Sequence, residues 1–120
     1  DKRALPALHD RLERIVDQAW GDADIMVTPT VPRQPPRIGE FTAPGLTPEA
    51  GFRAAALLGG FTAPFNVTGQ PAASIPAGFD QDKLPIGVQL VGRRLHDGQL
   101  LALAHQLEPS LGWNRRPQLR

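Results

Sequence analysis

One hundred and twenty residues suit one domain or a portion of a larger one, and 13 Lys and Arg against 12 Asp and Glu leave a net charge of +1. That balance gives no electrostatic case for nucleic acid or an anionic membrane as partner. A chain without cysteine excludes a disulfide framework, a thiolate metal site and a thiol nucleophile, and no apolar run reaches the roughly 18 residues of a membrane span.

The chain opens at Asp1, without Met and close to a helical pattern, so an internal start is expected, and no signal-peptide pattern is seen. Leu8, Leu12, Ile15, Val16 and Ala19 then fall at helical spacing, with Pro6 acceptable in the first turn and Gly21 as the stop. Ile25 to Thr28 is a short buried-type strand ended by Pro29. Pro29, Pro32, Pro35 and Pro36 punctuate an extended connector with little helical option. Thr47 before Pro48 and Glu49 predicts an N-cap, and a second helix to about Leu58, where Gly59 and Gly60 end it.

Ala72 to Ile75 is a small-residue strand limited by Pro76. Ile86, Val88 and Leu90 alternate with Gly87, Gln89 and Val91, a period of two that predicts a third strand. The turn-rich stretch from Gly78 to Pro85 makes an antiparallel pair the simplest connection between these two. Asp97 is a natural N-cap for a last helix with Leu100, Leu103, Ala104 and Leu107 as its apolar stripe and Pro109 as its end. A short basic tail runs from Gly112 through Trp113 to Pro117. The order is α, β, α, β, β, α: an α/β arrangement whose thin sheet exposes its edges unless something covers them.

A search for chemistry in this pattern finds little. No pair among His9, His96 and His105 has the i, i+4 spacing of a helical metal site, so no metal is expected and the histidines belong to surface or interface. Asp80 and Asp82 fall in a turn, where Asp is favoured for its side-chain bonds to the backbone. The two serines are Ser74 and Ser110. Ser74 lies in a strand without the Gly-x-Ser-x-Gly elbow that presents a nucleophile, and packing of a small residue is its expected role. Arg93-Arg94 and Arg115-Arg116 are too few for a nucleic-acid patch and are expected to be solvated. No Gly-x-Gly-x-x-Gly or Walker loop occurs.

An ordered set of short motifs adds a resemblance. Asp24-Ile25-Met26-Val27-Thr28-Pro29-Thr30 leads into the Pro-rich loop. It is followed by Thr62-Ala63-Pro64-Phe65-Asn66, Gly69-Gln70-Pro71-Ala72, Pro76-Ala77-Gly78 and Leu84-Pro85-Ile86-Gly87-Val88-Gln89-Leu90-Val91-Gly92, then by the Leu100-Leu101 helix. Each is weak alone, but the set in this order resembles the C-terminal core of the amidase signature family, serine hydrolases that cleave carboxamides to acid and ammonia or amine, and a cytoplasmic location is expected. The resemblance implies a partial amidase-signature fold, three short strands of a mixed sheet with three flanking helices. Residues 1–120 would be the C-terminal part of an amidase domain.

The family's Ser nucleophile, second Ser and Lys base belong to a stretch upstream of these motifs, and neither Lys2 nor Lys83 stands in that context. The resemblance therefore implies no catalytic residue in this chain, no cofactor, and an amide substrate bound only together with the missing catalytic part. Thr62 and Phe65, with Phe61 beside them, are the residues it points toward the acyl pocket; packing in a core is the plain alternative for the aromatics. Gly98 departs from the acidic residue that many relatives carry early in the last helix. Within the family the wording fits general amidases, with the A subunit of the glutamyl-tRNA(Gln) amidotransferase close behind; the latter implies partner subunits and tRNA. Outside it, the alternative is a non-enzymatic module that docks or self-associates, as a homodimer through exposed sheet edges.

Overall fold

Residues 4–111 are described by a computed structural model; Lys2 and the basic tail with Trp113, Arg115 and Arg116 lie outside the described residues. The first helix, α1, spans Ala4–Trp20 and stops where Gly21 takes a left-handed φ of 50°, as its glycine and the end of the apolar periodicity predict. Strand β1 is Ile25–Pro29. The Pro-rich connector leads to a single 3-10 turn, Glu40–Thr42, and then to α2, Pro48–Ala56. The Thr47 hydroxyl accepts the Ala50 N–H at 3.2 Å, satisfying one of the free donors at the start of α2. A 3-10 turn at Leu57–Gly59 closes this element.

A fourth helix then appears that the sequence reading does not include. Helix α3, Ala63–Thr68, is six residues long, too short to leave a periodic signature. Gly69 ends it at φ 77°, with its N–H on the Phe65 carbonyl at 2.8 Å. Strands β2, Ala72–Phe79, and β3, Pro85–Gly92, form a hairpin, and α4 covers Asp97–Leu111. The sheet order is β1-β3-β2, and both pairings are antiparallel among the described residues. The α/β class holds, the hairpin pairing is antiparallel as expected, and the described residues hold four helices in place of three.

Three boundaries differ from the sequence reading for physical reasons. Strand β2 runs through Pro76 rather than stopping there, because it is an edge strand whose proline need not donate to a neighbour. A register shift between Pro76 and Gly78 absorbs the misfit as a bulge, with Gly78 at φ 137°. Helix α4 continues past Pro109 to Leu111, since a proline this near the C-terminus removes a single backbone bond. Asp97 is the first helical residue rather than the cap; the His96 carbonyl accepts from Leu100 N at 3.2 Å.

Pleating divides the sheet into two faces. On one, Ile75 and Leu90 pack against Leu100 and Ala104 of α4, with Ile25, Val88 and Leu107 at the margin. On the other, Val91 lies beneath Val16 and Trp20 of α1 and Phe65 of α3, with Met26 beside them. Trp20 Nε1 is buried there and has no hydrogen-bond partner among the described residues.

Arg93 and Arg94 clamp this second layer: Arg94 stays half exposed, as expected of a solvated pair, but both also bond the backbone. Arg93 donates to the Gly21 and Ala23 carbonyls at 2.7 and 3.0 Å and lies over the Trp20 ring. It thereby places a cation at the C-terminal end of α1, the favourable end of the helix dipole. Arg94 does the same for α3, donating through Nε to the Thr68 carbonyl at 2.8 Å, and it also pairs with Glu13. His9 adds a third tie: its Nε2 meets the Val67 carbonyl at 3.0 Å, so this nitrogen carries the proton.

Candidate functional site

The second sheet face is apolar at one end and polar at the other. Thr28, Gln89 and Ser74 stand opposite one another in a row across β1, β3 and β2. Residues paired in this way share a face, and Met26 and Val91, two positions along, carry the same face under α1 and α3. Thr30 extends the polar end. Its N–H donates to the Gly87 carbonyl at 3.1 Å, and its hydroxyl meets the Ser74 hydroxyl at 2.7 Å.

That hydroxyl pair rests over Gly87. A Cβ on Gly87 would fall 2.9 Å from Thr30 Oγ1 and 3.0 Å from Ser74 Oγ, so only glycine leaves room for the bridge. Ser74 is exposed, which corrects its expected role as core packing. Its partner is another hydroxyl, which cannot serve as the general base that a serine nucleophile needs.

Gln89 is buried at 4% exposure. Its Nε2 donates to Thr28 Oγ1 and to the Phe61 carbonyl, both at 2.9 Å. The segment entering α3 is thereby tied to the middle of the sheet. Phe61 is 37% exposed. Thr62 is half-buried, with its hydroxyl donating to the Gly59 carbonyl at 3.3 Å. Phe65 is buried at 7% exposure in the cluster with Val16, Trp20 and Val91. Of the three residues that the motifs single out, Phe61 and Thr62 thus stand together beside the polar row, and Phe65 anchors the segment from below.

The Pro-rich connector is fastened nearby. Gln34 donates to Asp80 at 2.8 Å and to Asp82 at 3.3 Å. Asp80 also accepts the Leu84 N–H at 2.8 Å, a turn role of the kind expected of this pair. An apolar groove of about 260 Å³ lies between connector and hairpin, lined by Pro29, Val31, Pro32, Pro85, Ile86 and Gly87 among others. A more polar hollow of about 330 Å³ is lined by Asp17, Gln70, Arg93 and His96 among others.

Charge in the described residues is organised for structure. The Arg94 hydrogen bond holds the Glu13 carboxyl below the usual carboxylate range, against a smaller opposing effect of desolvation. Glu40 is lowered likewise, first by Arg33 and then by the Arg37 N–H. His9, Asp10 and Glu13 lie close enough to share a cation, but His9 already bonds Val67 and Glu13 already pairs with Arg94. His96 faces Gln99, and His105 faces Glu108. The polar row, its buried amide and the Phe61 segment therefore bring hydrogen-bonding groups together at one end of this face, and among the described residues Ser74 has only the Thr30 hydroxyl as its side-chain partner. Gln89 stood in the sequence within a family motif and a strand alternation, and the arginine clamps as a paired-basic dipeptide, but none of these signals names the partners found here.

Comparison with known proteins places this geometry. The Amidase family profile matches residues 2–101. A 6-aminohexanoate-cyclic-dimer hydrolase of Paenarthrobacter ureafaciens is 44% identical over 115 residues, 91% of this chain and 23% of its own. The A subunit of a glutamyl-tRNA(Gln) amidotransferase from Halothermothrix orenii is 35% identical over 104 residues, 86% of this chain and 20% of its own. The solved structure of 6-aminohexanoate cyclic dimer hydrolase superposes with a TM-score of 0.79 at 41% identity, over 98% of this chain and 26% of that one. The corresponding amidotransferase structure from Thermotoga maritima gives 0.64 at 33% identity, over 93% and 22%. The chain thus spans about a quarter or less of the length of these relatives. With most of its residues under the family profile and nearly all of its fold superposed on a member, this chain belongs to the amidase family.

Proposed function

We propose that this chain is the C-terminal segment of an amide hydrolase and forms one wall of its acyl pocket, with the catalytic Ser-Ser-Lys set carried by the rest of the protein. The observation behind this reading is the superposition of 98% of the chain on 26% of 6-aminohexanoate cyclic dimer hydrolase. In that reading a serine elsewhere attacks the amide carbonyl and the amine leaves with a proton. Water then releases the acid from the acyl-enzyme. Phe61 and Thr62 bound the acyl group, Phe65 seats them, and Ser74 plays no nucleophilic part.

The shape supports a segment that works inside a larger body. The described residues form a slab of 46 × 43 × 17 Å with a radius of gyration of 17.2 Å, against about 14 Å for a self-contained domain of this length. Apolar side chains such as Leu5, Leu8, Val27, Phe52 and Leu57 stand exposed. Assaying hexanamide hydrolysis by the 120-residue chain and by the full-length gene product tests the reading. Turnover is expected from the latter alone. Activity of the short chain that vanishes in Ser74→Ala would overturn it.

Two narrower readings follow from the same features. Similarity to the amidotransferase would make the parent a component of such an enzyme, with partner subunits, which co-purification with the full-length protein would reveal. The free edges of β1 and β2 would let the isolated chain pair with a second copy. Sedimentation should then show a dimer for the short chain that the full-length protein does not form by this route.

A further inference from the structure

We propose that Gln89 is the positioning residue of this wall, fixing where Phe61 stands. The inference rests on the reading of Phe61 and Thr62 as pocket-facing. Gln89 donates through Nε2 to Thr28 Oγ1 and to the Phe61 carbonyl, each at 2.9 Å, from a side chain 4% exposed. A carbonyl only accepts, so the nitrogen of the amide, not its oxygen, faces Phe61; the orientation follows from chemistry. The Thr28 hydroxyl in turn donates to the Pro29 carbonyl at 3.0 Å. One buried amide thus joins the sheet both to the end of β1, where the connector begins, and to the segment entering α3.

The segment has little else to hold its backbone in place. Its other hydrogen bonds among the described residues are local: Gly60 N to Leu57 O at 3.2 Å, Thr62 N to Gly59 O at 3.0 Å, Thr62 Oγ1 to Gly59 O at 3.3 Å, and Asn66 N to Thr62 O at 3.2 Å. Such short-range bonds define the shape of a turn but not its place on the sheet. Phe65 anchors the far side through packing, four residues on. The Gln89 bond, spanning 28 residues, is what sets the height of Phe61 above the polar row. Without it, a part-buried carbonyl loses its donor, and the segment relieves that cost by lifting toward water.

The test uses the full-length protein with Gln89→Glu, Gln89→Met and Phe61→Ala. Glutamate keeps the shape but presents only acceptors to Phe61; methionine keeps the volume and covers the case in which the buried charge prevents folding. Amide hydrogen exchange of residues 57–66 is expected to rise about tenfold or more in either Gln89 variant. In Gln89→Glu the protection factor should recover toward that of the unmutated protein as pH drops from about 7 to 5, because burial raises the carboxyl pKa and the protonated form can donate again. The ratio of kcat/KM for acetyl and hexanoyl p-nitroanilide should shift in Phe61→Ala and, in the same direction, in both Gln89 variants.

Unchanged exchange of residues 57–66 in a folded Gln89→Met protein overturns the inference. So does a selectivity that moves in Phe61→Ala and not in the Gln89 variants. If exchange rises but no variant moves the selectivity, the pocket-facing reading is what fails, and the positioning role falls with it.

Discussion

Replacing Gly87 by Ala tests whether the Thr30–Ser74 bridge leaves any room above β3. The new Cβ would meet Thr30 Oγ1 at 2.9 Å, Ser74 Oγ at 3.0 Å and Thr30 Cβ at 3.3 Å. Serine can swing its hydroxyl aside. Threonine is stiff at χ1, its Cβ moves only with the backbone, and its N–H is held by Gly87 itself. Overpacking costs about 1–3 kcal/mol. Loss of the hydroxyl bond adds about 0.5–1 kcal/mol at this exposed place, and removing a strand glycine gives back about 0.5–1 kcal/mol. The net is a destabilisation of about 2 kcal/mol, a roughly 30-fold larger open fraction for this part of the sheet. Amide hydrogen exchange of residues 84–92, read by mass spectrometry, measures it directly. In a Thr30→Ala background the nearest contact and the hydroxyl bond are already gone, so the same change should cost under about 1 kcal/mol, a coupling that a double-mutant cycle resolves. Equal costs in both backgrounds, or slower exchange in Gly87→Ala alone, would refute the steric argument.

Two other glycines should respond with opposite signs. A Cβ on Gly51 would run into the carbonyl oxygen of Phe41, backbone that cannot swing away, so Gly51→Ala should destabilise the contact of α2 with the 3-10 turn by about 1–3 kcal/mol. Gly98, in the first turn of α4 with open space around it, should accept Ala with a gain of up to about 1 kcal/mol; thermal unfolding reports both. The lowered Glu13 carboxyl fixes a pH dependence. A group whose folded pKa is depressed stabilises above its unfolded value and loses that contribution as pH falls through the folded one. Protection of α1 amides should therefore decline between about pH 5 and 3, and Glu13→Gln should flatten that decline. Arg93→Lys keeps the charge but loses the fork that reaches two carbonyls; faster exchange near Gly21 is expected, and an unchanged rate would show that charge alone suffices.

Much of the framework was legible because the signals were local. Thr47 capped α2 and Gly21 stopped α1 through the conformations these residue types favour. The alternation from Ile86 to Leu90 gave β3 and its hairpin with β2. What was not legible depended on neighbours distant in sequence. Pro76 can lie inside β2 only because β2 is an edge, a fact of sheet order. Ser74 turns away from the core because Thr30, 44 residues earlier, meets it across Gly87. Arg93 and Arg94 look like a basic surface pair until two helix ends, at Gly21 and Thr68, arrive beside them. The segment from Phe61 to Phe65 stood out through its motif, but the Gln89 hydrogen bond that reaches it did not, since alternation assigns a strand residue to a face and says nothing of what that face meets.

Helix α1 shows why this chain reads as one part of a larger packing problem. Its apolar stripe in sequence is centred on Leu8, Leu12 and Ile15, yet the residues it buries here are Val16 and Trp20, at the stripe's edge. Leu8 and Ile15 remain half exposed or more, at 53% and 50%. A helix selected only to cover Val91 and Met26 would need a narrower stripe, displaced by about a quarter turn toward Trp20. The broad stripe suits a helix packed on two sides, with this sheet on one and a further part of the protein on the other. Under the proposed function that further part holds the catalytic serines. The arginine clamps at Gly21 and Thr68 then fix α1 and α3 to the sheet, so that the Phe61 segment and the outer face of α1 reach the rest of the enzyme as one rigid unit.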